Sequence, residues 1–282
     1  MPRTLAKTQA IVLRTRRMGE TSKLVTLYTE DFGKVKVVAK GARKPKSKFG
    51  AGLELMTEIQ VVFYLRDDRE LQTLSDCDVT RSHPGLLSVL QRFSYGSAVC
   101  ELIDRLTIEG EGGHRRLYRC LAGVLVGFEE VGAPQTEVLF WYFQLRMAES
   151  LGYRPELGHC VDCLSALEGG SLWFSPALGG GLCTSCGRAV ASSDFAHENG
   201  MVSDGEGSAF GAQTHAFRVD GDNIRFLAGL QSLVKYDKHV IPAALPRQRG
   251  REIRSMLLRF LEFHAGQCGR LKSLEFLESV NG

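Results

Sequence analysis

Residues 33–48 read Gly33-Lys34-Val35-Lys36-Val37-Val38-Ala39-Lys40-Gly41-Ala42-Arg43-Lys44-Pro45-Lys46-Ser47-Lys48. The first half alternates. Val35, Val37 and Ala39 fall on one face of an extended chain, and Lys34, Lys36 and Lys40 on the other, because successive strand side chains point to opposite faces. The second half is the densest charge run in the chain, and Gly50 and Gly52 follow it. Glycine and proline punctuate it, so it reads as an exposed loop. A half-buried strand leading into a polycationic loop sets the fold of its neighbours.

Four further runs rich in β-branched and aromatic residues surround it, at 10–17, 22–30, 57–64 and 71–78, with the quoted strand at 33–40. Turn residues separate them at Gly19-Glu20, Asp31-Phe32-Gly33 and Arg66-Asp67-Asp68-Arg69. The run at 57–64 alternates as well, with Ile59, Val61 and Phe63 opposite Glu58, Gln60 and Tyr64. Five short strands so closely spaced suit a small closed barrel, of the OB-fold or the SH3-like kind.

Helical spacing begins after His83-Pro84. Leu86, Leu90, Phe93, Ser97, Cys100, Ile103 and Leu106 step by three or four. Leu117, Leu121, Val124 and Phe128 mark a second helix. Val138, Trp141, Leu145, Ala148 and Leu151 mark a third, with Pro134 in its first turn and Gly152 as its stop. Residues 192–215 are polar and glycine-rich and read as a loop. Helical spacing returns at Ile224–Val234, at Ile253–Leu261 and at 271–277.

Charge is unevenly spread. Residues 1–48 hold thirteen Lys and Arg against Glu20, Glu30 and Asp31, a net +10 in a chain of net +3. Such asymmetry points to a polyanionic partner for the N-terminal part. Phosphate neutralisation with counterion release gives salt-sensitive, sequence-independent binding. The candidate phosphate contacts are Lys34, Lys36, Lys40, Arg43, Lys44, Lys46 and Lys48, joined by Arg14 and Arg16. A bland reading of the loop is a solvated surface that keeps the protein soluble. The run Arg247, Arg249, Arg251 and Arg254 reads as the start of a solvated helix or an extension of the same track.

Cys160-x-x-Cys163 and Cys183-x-x-Cys186 enclose 19 residues, the two-knuckle spacing of a zinc site. Four thiolates complete tetrahedral zinc and leave no open position, so such a site is structural. Leu172–Phe174 and 179–182 would form a hairpin between the knuckles. A redox dithiol, a disulfide pair and an iron–sulfur cluster are the alternatives. A zinc deaminase is excluded: Leu182 stands where that motif needs proline, and no His-x-Glu lies upstream. Cys100 and Cys120 sit on apolar helical faces and read as core, Cys77 ends a strand, and Cys268 lies in a turn. No phosphate-binding glycine loop, Gly-x-Ser-x-Gly or His-Glu-x-x-His motif appears. The expectation is therefore no catalytic residues and no enzyme. No apolar stretch approaches membrane-span length and no signal peptide is evident, so the expected location is cytoplasmic.

Several passages resemble the RecO family of bacterial recombination mediators. They are Thr8-Gln9-Ala10-Ile11-Val12-Leu13, Gly19-Glu20-Thr21-Ser22-Lys23-Leu24, and Gly33-Lys34-Val35 leading into Lys40-Gly41-Ala42-Arg43-Lys44. Leu151-Gly152-Tyr153-Arg154-Pro155 and Phe174-Ser175-Pro176-Ala177, with both cysteine pairs, continue the likeness. The resemblance implies a multi-domain α+β protein. Its parts are an OB-fold barrel at 1–80, an all-α helical domain at 81–157 and 222–282, and an inserted four-cysteine zinc module at 158–190; the polar loop read from composition, at 191–221, is longer than the resemblance implies. It further implies binding to single- and double-stranded DNA, annealing of complementary strands, nucleoid association, and the partners RecR and single-strand DNA-binding protein (SSB). The acidic, apolar tail of SSB would need an apolar groove with a basic rim, between helices of 84–152 or 222–279. A RecR surface on the barrel would compete for the same lysines. The competing reading is a zinc-ribbon regulatory or RNA-binding factor without annealing activity. An enzyme, such as a zinc-dependent nucleic-acid hydrolase, would need an open zinc position or a carboxylate cluster beside the basic face.

Overall fold

The computed structural model describes residues 4–66, 68–111, 115–198, 215–234, 245–266 and 271–281. The chain divides into two compact units, one reaching from the N-terminus through Phe143 and including the C-terminal helix, the other starting at Gln144.

The first unit begins with strands β1 (Thr4–Met18), β2 (Ser22–Thr29), β3 (Gly33–Ala39), β4 (Glu58–Leu65) and β5 (Leu71–Arg81). They close into a barrel in the order β1-β2-β3-β5-β4. All pairings are antiparallel except β3 with β5, where Lys36 faces Leu71 and Val38 faces Thr73. This is the OB order, which settles the choice the pattern left open against an SH3-like barrel. Strand β1 starts earlier than the sequence pattern indicates. Its first half pairs with β4 and its second half with β2, and the register shifts between Val12 and Arg14. Such a bulge bends the strand from one side of the barrel to the other.

The inward residues are those the alternation marks. Val35, Val37, Ala39, Ile59, Val61 and Phe63 join Val12, Val25, Leu27 and Leu74 in one buried cluster. Phe32 meets Phe63 edge to face at 5.7 Å.

Helices α1 (Pro84–Leu87), α2 (Leu90–Leu106) and α3 (Arg115–Glu130) follow, then α4 (Ala133–Ser150), whose residues from Gln144 on belong to the second unit. Cys100 is buried in α2, as its helical position suggests. Gly152, at φ +88°, ends α4 as expected. There Tyr153 N–H bonds Ala148 O and Gly152 N–H bonds Glu149 O, a Schellman closure that needs a left-handed residue.

The second unit contains β6 (Ser171–Ser175), β7 (Gly180–Leu182), α5 (Thr184–Glu198), β8 (Phe217–Asp220), α6 (Gly221–Ser232) and α7 (Arg247–Ala265). Helix α8 (Lys272–Asn281) returns to the first unit. Two features correct the loop expected at 191–221. Helix α5 continues through Glu198, and β8 pairs with β6 to make a sheet of order β7-β6-β8. The polar composition hid both, because a short edge strand and a surface helix need few large apolar residues. Residues 199–214 and Cys268 lie outside the described residues. No described helix is long and apolar enough to cross a membrane.

Candidate nucleic-acid interface and metal centre

The nine candidate phosphate contacts divide into two groups. Lys34 is buried, with 8% exposure, and its Nζ donates to the main-chain oxygen of Asp104 at 2.6 Å. Burial pushes its ammonium below the usual lysine range, against the opposing pull of Asp104 and Glu109. Lys36 forms an ion pair with Glu109, and Arg14 pairs with Asp104 at 3.1 Å. The outward face of β3 is thus turned towards the end of α2 and the residues after it. Glu109 also bridges to Lys34 through its backbone. Sequence alternation separates inside from outside. It cannot reveal that a helix covers part of the outside.

Lys40, Lys44, Lys46, Lys48, Arg43 and Arg16 are at least partly exposed. The loop holding most of them is not loose. Lys44 N–H bonds Gly41 O, and Ser47 N–H bonds Lys44 O, each at 3.0 Å. Arg43 is half structural: its Nη1 donates to the carbonyls of Glu20 at 2.7 Å and Gly19 at 3.2 Å. It thereby ties the loop to the β1–β2 hairpin. Lys40 lies between two shallow depressions that share Met18 and Val38, one reaching Lys44 and the other Arg69 and Leu71. Met18 and Leu71 are partly exposed there. Arg69 belongs to this surface. Its place next to the β4–β5 turn was the signal that could have found it, since OB-folds present their ligands to that loop.

Arg247 and Arg251 are exposed on α7, while Arg249 Nε donates to Asn223 Oδ1 at 2.7 Å. The run does start a helix, and one of its members is engaged within the second unit.

The four paired cysteines converge. Their Sγ atoms all lie within 4.8 Å of one another. The Cys163–Cys183 separation is 3.8 Å, and a tetrahedral Zn–S site has sulfur edges of about 3.8 Å. All four are free thiols, so no disulfide pairs them. Cys160 and Cys163 sit in a turn closed by Leu164 N–H on Cys160 O at 2.9 Å, with Leu164 at φ +61°. Cys183 stands just before α5 and Cys186 in its first turn. The hydroxyl of Ser185 holds the Cys183 thiol down at about 6, and that of Ser165 lowers Cys163. The expected hairpin between the pairs is β6–β7. His159 is exposed and outside the cluster. An all-sulfur set of this size could hold one metal ion, and thiolates suit zinc.

Two glycines at or against the hairpin are close approaches rather than mere turn formers. A Cβ on Gly180 in β7 would collide with Glu156 O, and one on Gly187 in α5 would collide with the Trp173 ring.

Fold and site together define the class: an OB-barrel protein with an exposed basic loop, a helical region and a four-cysteine module. The family model described as Recombination protein O N terminal matches residues 1–83, and that described as Recombination protein O C terminal matches residues 87–193. A DNA repair protein RecO of Pelotomaculum thermopropionicum is 40% identical over 182 residues, covering 64% of this chain and 68% of that protein. Those of Heliobacterium modesticaldum and Symbiobacterium thermophilum are 37% and 34% identical, over 62% and 64% of this chain and 63% and 71% of their own lengths. The chain belongs to the RecO family.

Proposed function

We propose that this chain is a non-catalytic DNA-binding recombination mediator. On this reading it binds single- and double-stranded DNA, anneals complementary strands, and helps load recombinase onto SSB-coated DNA during repair. It works in the cytoplasm at the nucleoid, with RecR and SSB as partners. The observation that carries the reading is the solvent-facing set Lys40, Lys44, Lys46 and Lys48 on an OB-type barrel. Its similarity to DNA repair proteins RecO and its match to the Recombination protein O family support the repair role.

Annealing follows from charge. Two strands repel one another, and a cationic surface that holds both lowers that repulsion. Lys40, Lys44, Lys46 and Lys48 contact phosphate, with Arg16 and Arg69 at the margins and Arg43 fixing the loop. Lys34 holds the barrel to the helices, and Lys36 and Arg14 reach phosphate only if their carboxylate partners release them. Cys160, Cys163, Cys183 and Cys186 hold one structural zinc, which ties the turn at 160–163 to the start of α5. The barrel at 1–80 is the DNA-binding domain, 81–157 with 222–282 the helical domain, and 158–190 the zinc module.

Annealing of two complementary oligonucleotides, one coated with SSB, tests the reading across several salt concentrations. Acceleration that fades with salt is the expected result. Tight binding without acceleration at any salt would favour the regulatory or RNA-binding alternative.

A further inference from the structure

A groove of about 700 Å³ runs along the first unit, lined by Arg14, Arg16 and Arg17 from β1 and by Glu101, Asp104 and Arg105 from α2. Several of its cations are met by carboxylates of the same chain. Arg14 Nη1 lies 3.1 Å from Asp104 Oδ2 and Arg105 pairs with Glu101, and in a separate depression beside β3 Lys36 pairs with Glu109. Lys23 Nζ, also on the groove wall, lies 2.9 Å from Glu54 Oε1. A carboxylate presents two anionic oxygens to a guanidinium much as a phosphate does. Asp104 and Glu109 therefore stand where backbone phosphates would stand if a strand followed β1 and β3.

We propose that Asp104 and Glu109 act as built-in competitors for phosphate, so that nucleic acid reaches Arg14 in the groove beside β1 only by displacing Asp104, and reaches Lys36 in a separate depression beside β3 only by displacing Glu109. The inference rests on the DNA-binding reading above and adds its regulation. The pairs are half exposed: Arg14 is 47% and Asp104 18% exposed at the side chain, Lys36 37% and Glu109 30%. Exposed pairs contribute little net stability, so the exchange is easily driven in either direction. The exposed loop binds first. The groove adds contacts only when local phosphate density is high, as when two strands are held together.

The test is the binding of a short oligothymidylate to full-length wild type, Asp104→Asn and Glu109→Gln across a salt series. Each substitution is isosteric and leaves the Asp104 carbonyl that Lys34 uses. Expected is binding about three- to tenfold tighter at low salt for each variant, with a slope of log affinity against log salt steeper by about 0.7. Adding Arg14→Gln to Asp104→Asn should cancel that gain. Unchanged affinity and slope in both single variants, or a gain that survives Arg14→Gln, would overturn the proposal. A wild-type protein with no salt-dependent binding would instead remove the DNA reading beneath it.

Discussion

Lys34 Nζ donates a 2.6 Å hydrogen bond to the main-chain oxygen of Asp104, 70 residues further along the chain. A lysine in the middle of a polycationic strand is thereby a packing element of the barrel–helix contact. Lys34→Met removes a charged donor and orphans a carbonyl, a change worth about 1.5–3 kcal/mol. Thermal unfolding should show that loss, while the salt dependence of DNA binding stays as in wild type. A flattened salt slope with unchanged stability would place Lys34 on the DNA instead.

His83 joins two carboxylates. Its Nδ1 lies 2.9 Å from Glu129 Oε2 and its Nε2 3.1 Å from Glu58 Oε1, and the ring is 2% exposed. Burial pushes its pKa down, but the hydrogen bonds to Glu58 and Glu129 outweigh burial together, and the net shift is upward from 6.5. A raised folded pKa means that the charged latch is fully stabilising below about 6.5 and is lost as pH rises through the raised value. His83→Ala should cost about 3 kcal/mol at a pH of about 6 and less at higher pH. Denaturant midpoints over a pH series check this; a cost that grows with pH would contradict the sign.

The zinc assignment predicts one zinc per chain, retained on gel filtration and lost with Cys160→Ser. Chelation should expose four thiols to a maleimide and disorder the β6–β7 hairpin. Four thiols equally reactive before and after chelation, in a protein without metal, would return the pairs to the redox reading.

Gly187→Ala drives a methyl group into the indole of Trp173. A backbone shift or a turned ring must follow, at about 1–3 kcal/mol. Local proteolysis near α5 and weaker metal retention are the readouts. Wild-type metal retention and stability would mean that the ring yields freely and that the close approach has no structural role.

Much of this was legible in the sequence. The barrel strands, the inward face, the helices after Pro84 and the cysteine spacing all obey local periodicities that one chain displays. What local pattern cannot show is which outward faces are covered. Lys34 and Lys40 look alike along the strand, yet one is buried against Asp104 and the other is exposed. The His83–Glu58–Glu129 knot draws on three distant segments and has no local signature. Strand β8 is only four residues long and exists through its pairing with β6. Its Phe217 and Val219 are too few to mark a strand within a polar stretch.

The most direct test of the central claim is the salt dependence of oligothymidylate affinity for wild type and for Lys44→Glu/Lys46→Glu/Lys48→Glu. If the loop is the phosphate surface, the triple variant binds the oligonucleotide more weakly, and its slope flattens by about 2 units, roughly 0.7 for each phosphate no longer neutralised. A folded triple variant with the wild-type slope would contradict the account and move the DNA elsewhere on the molecule.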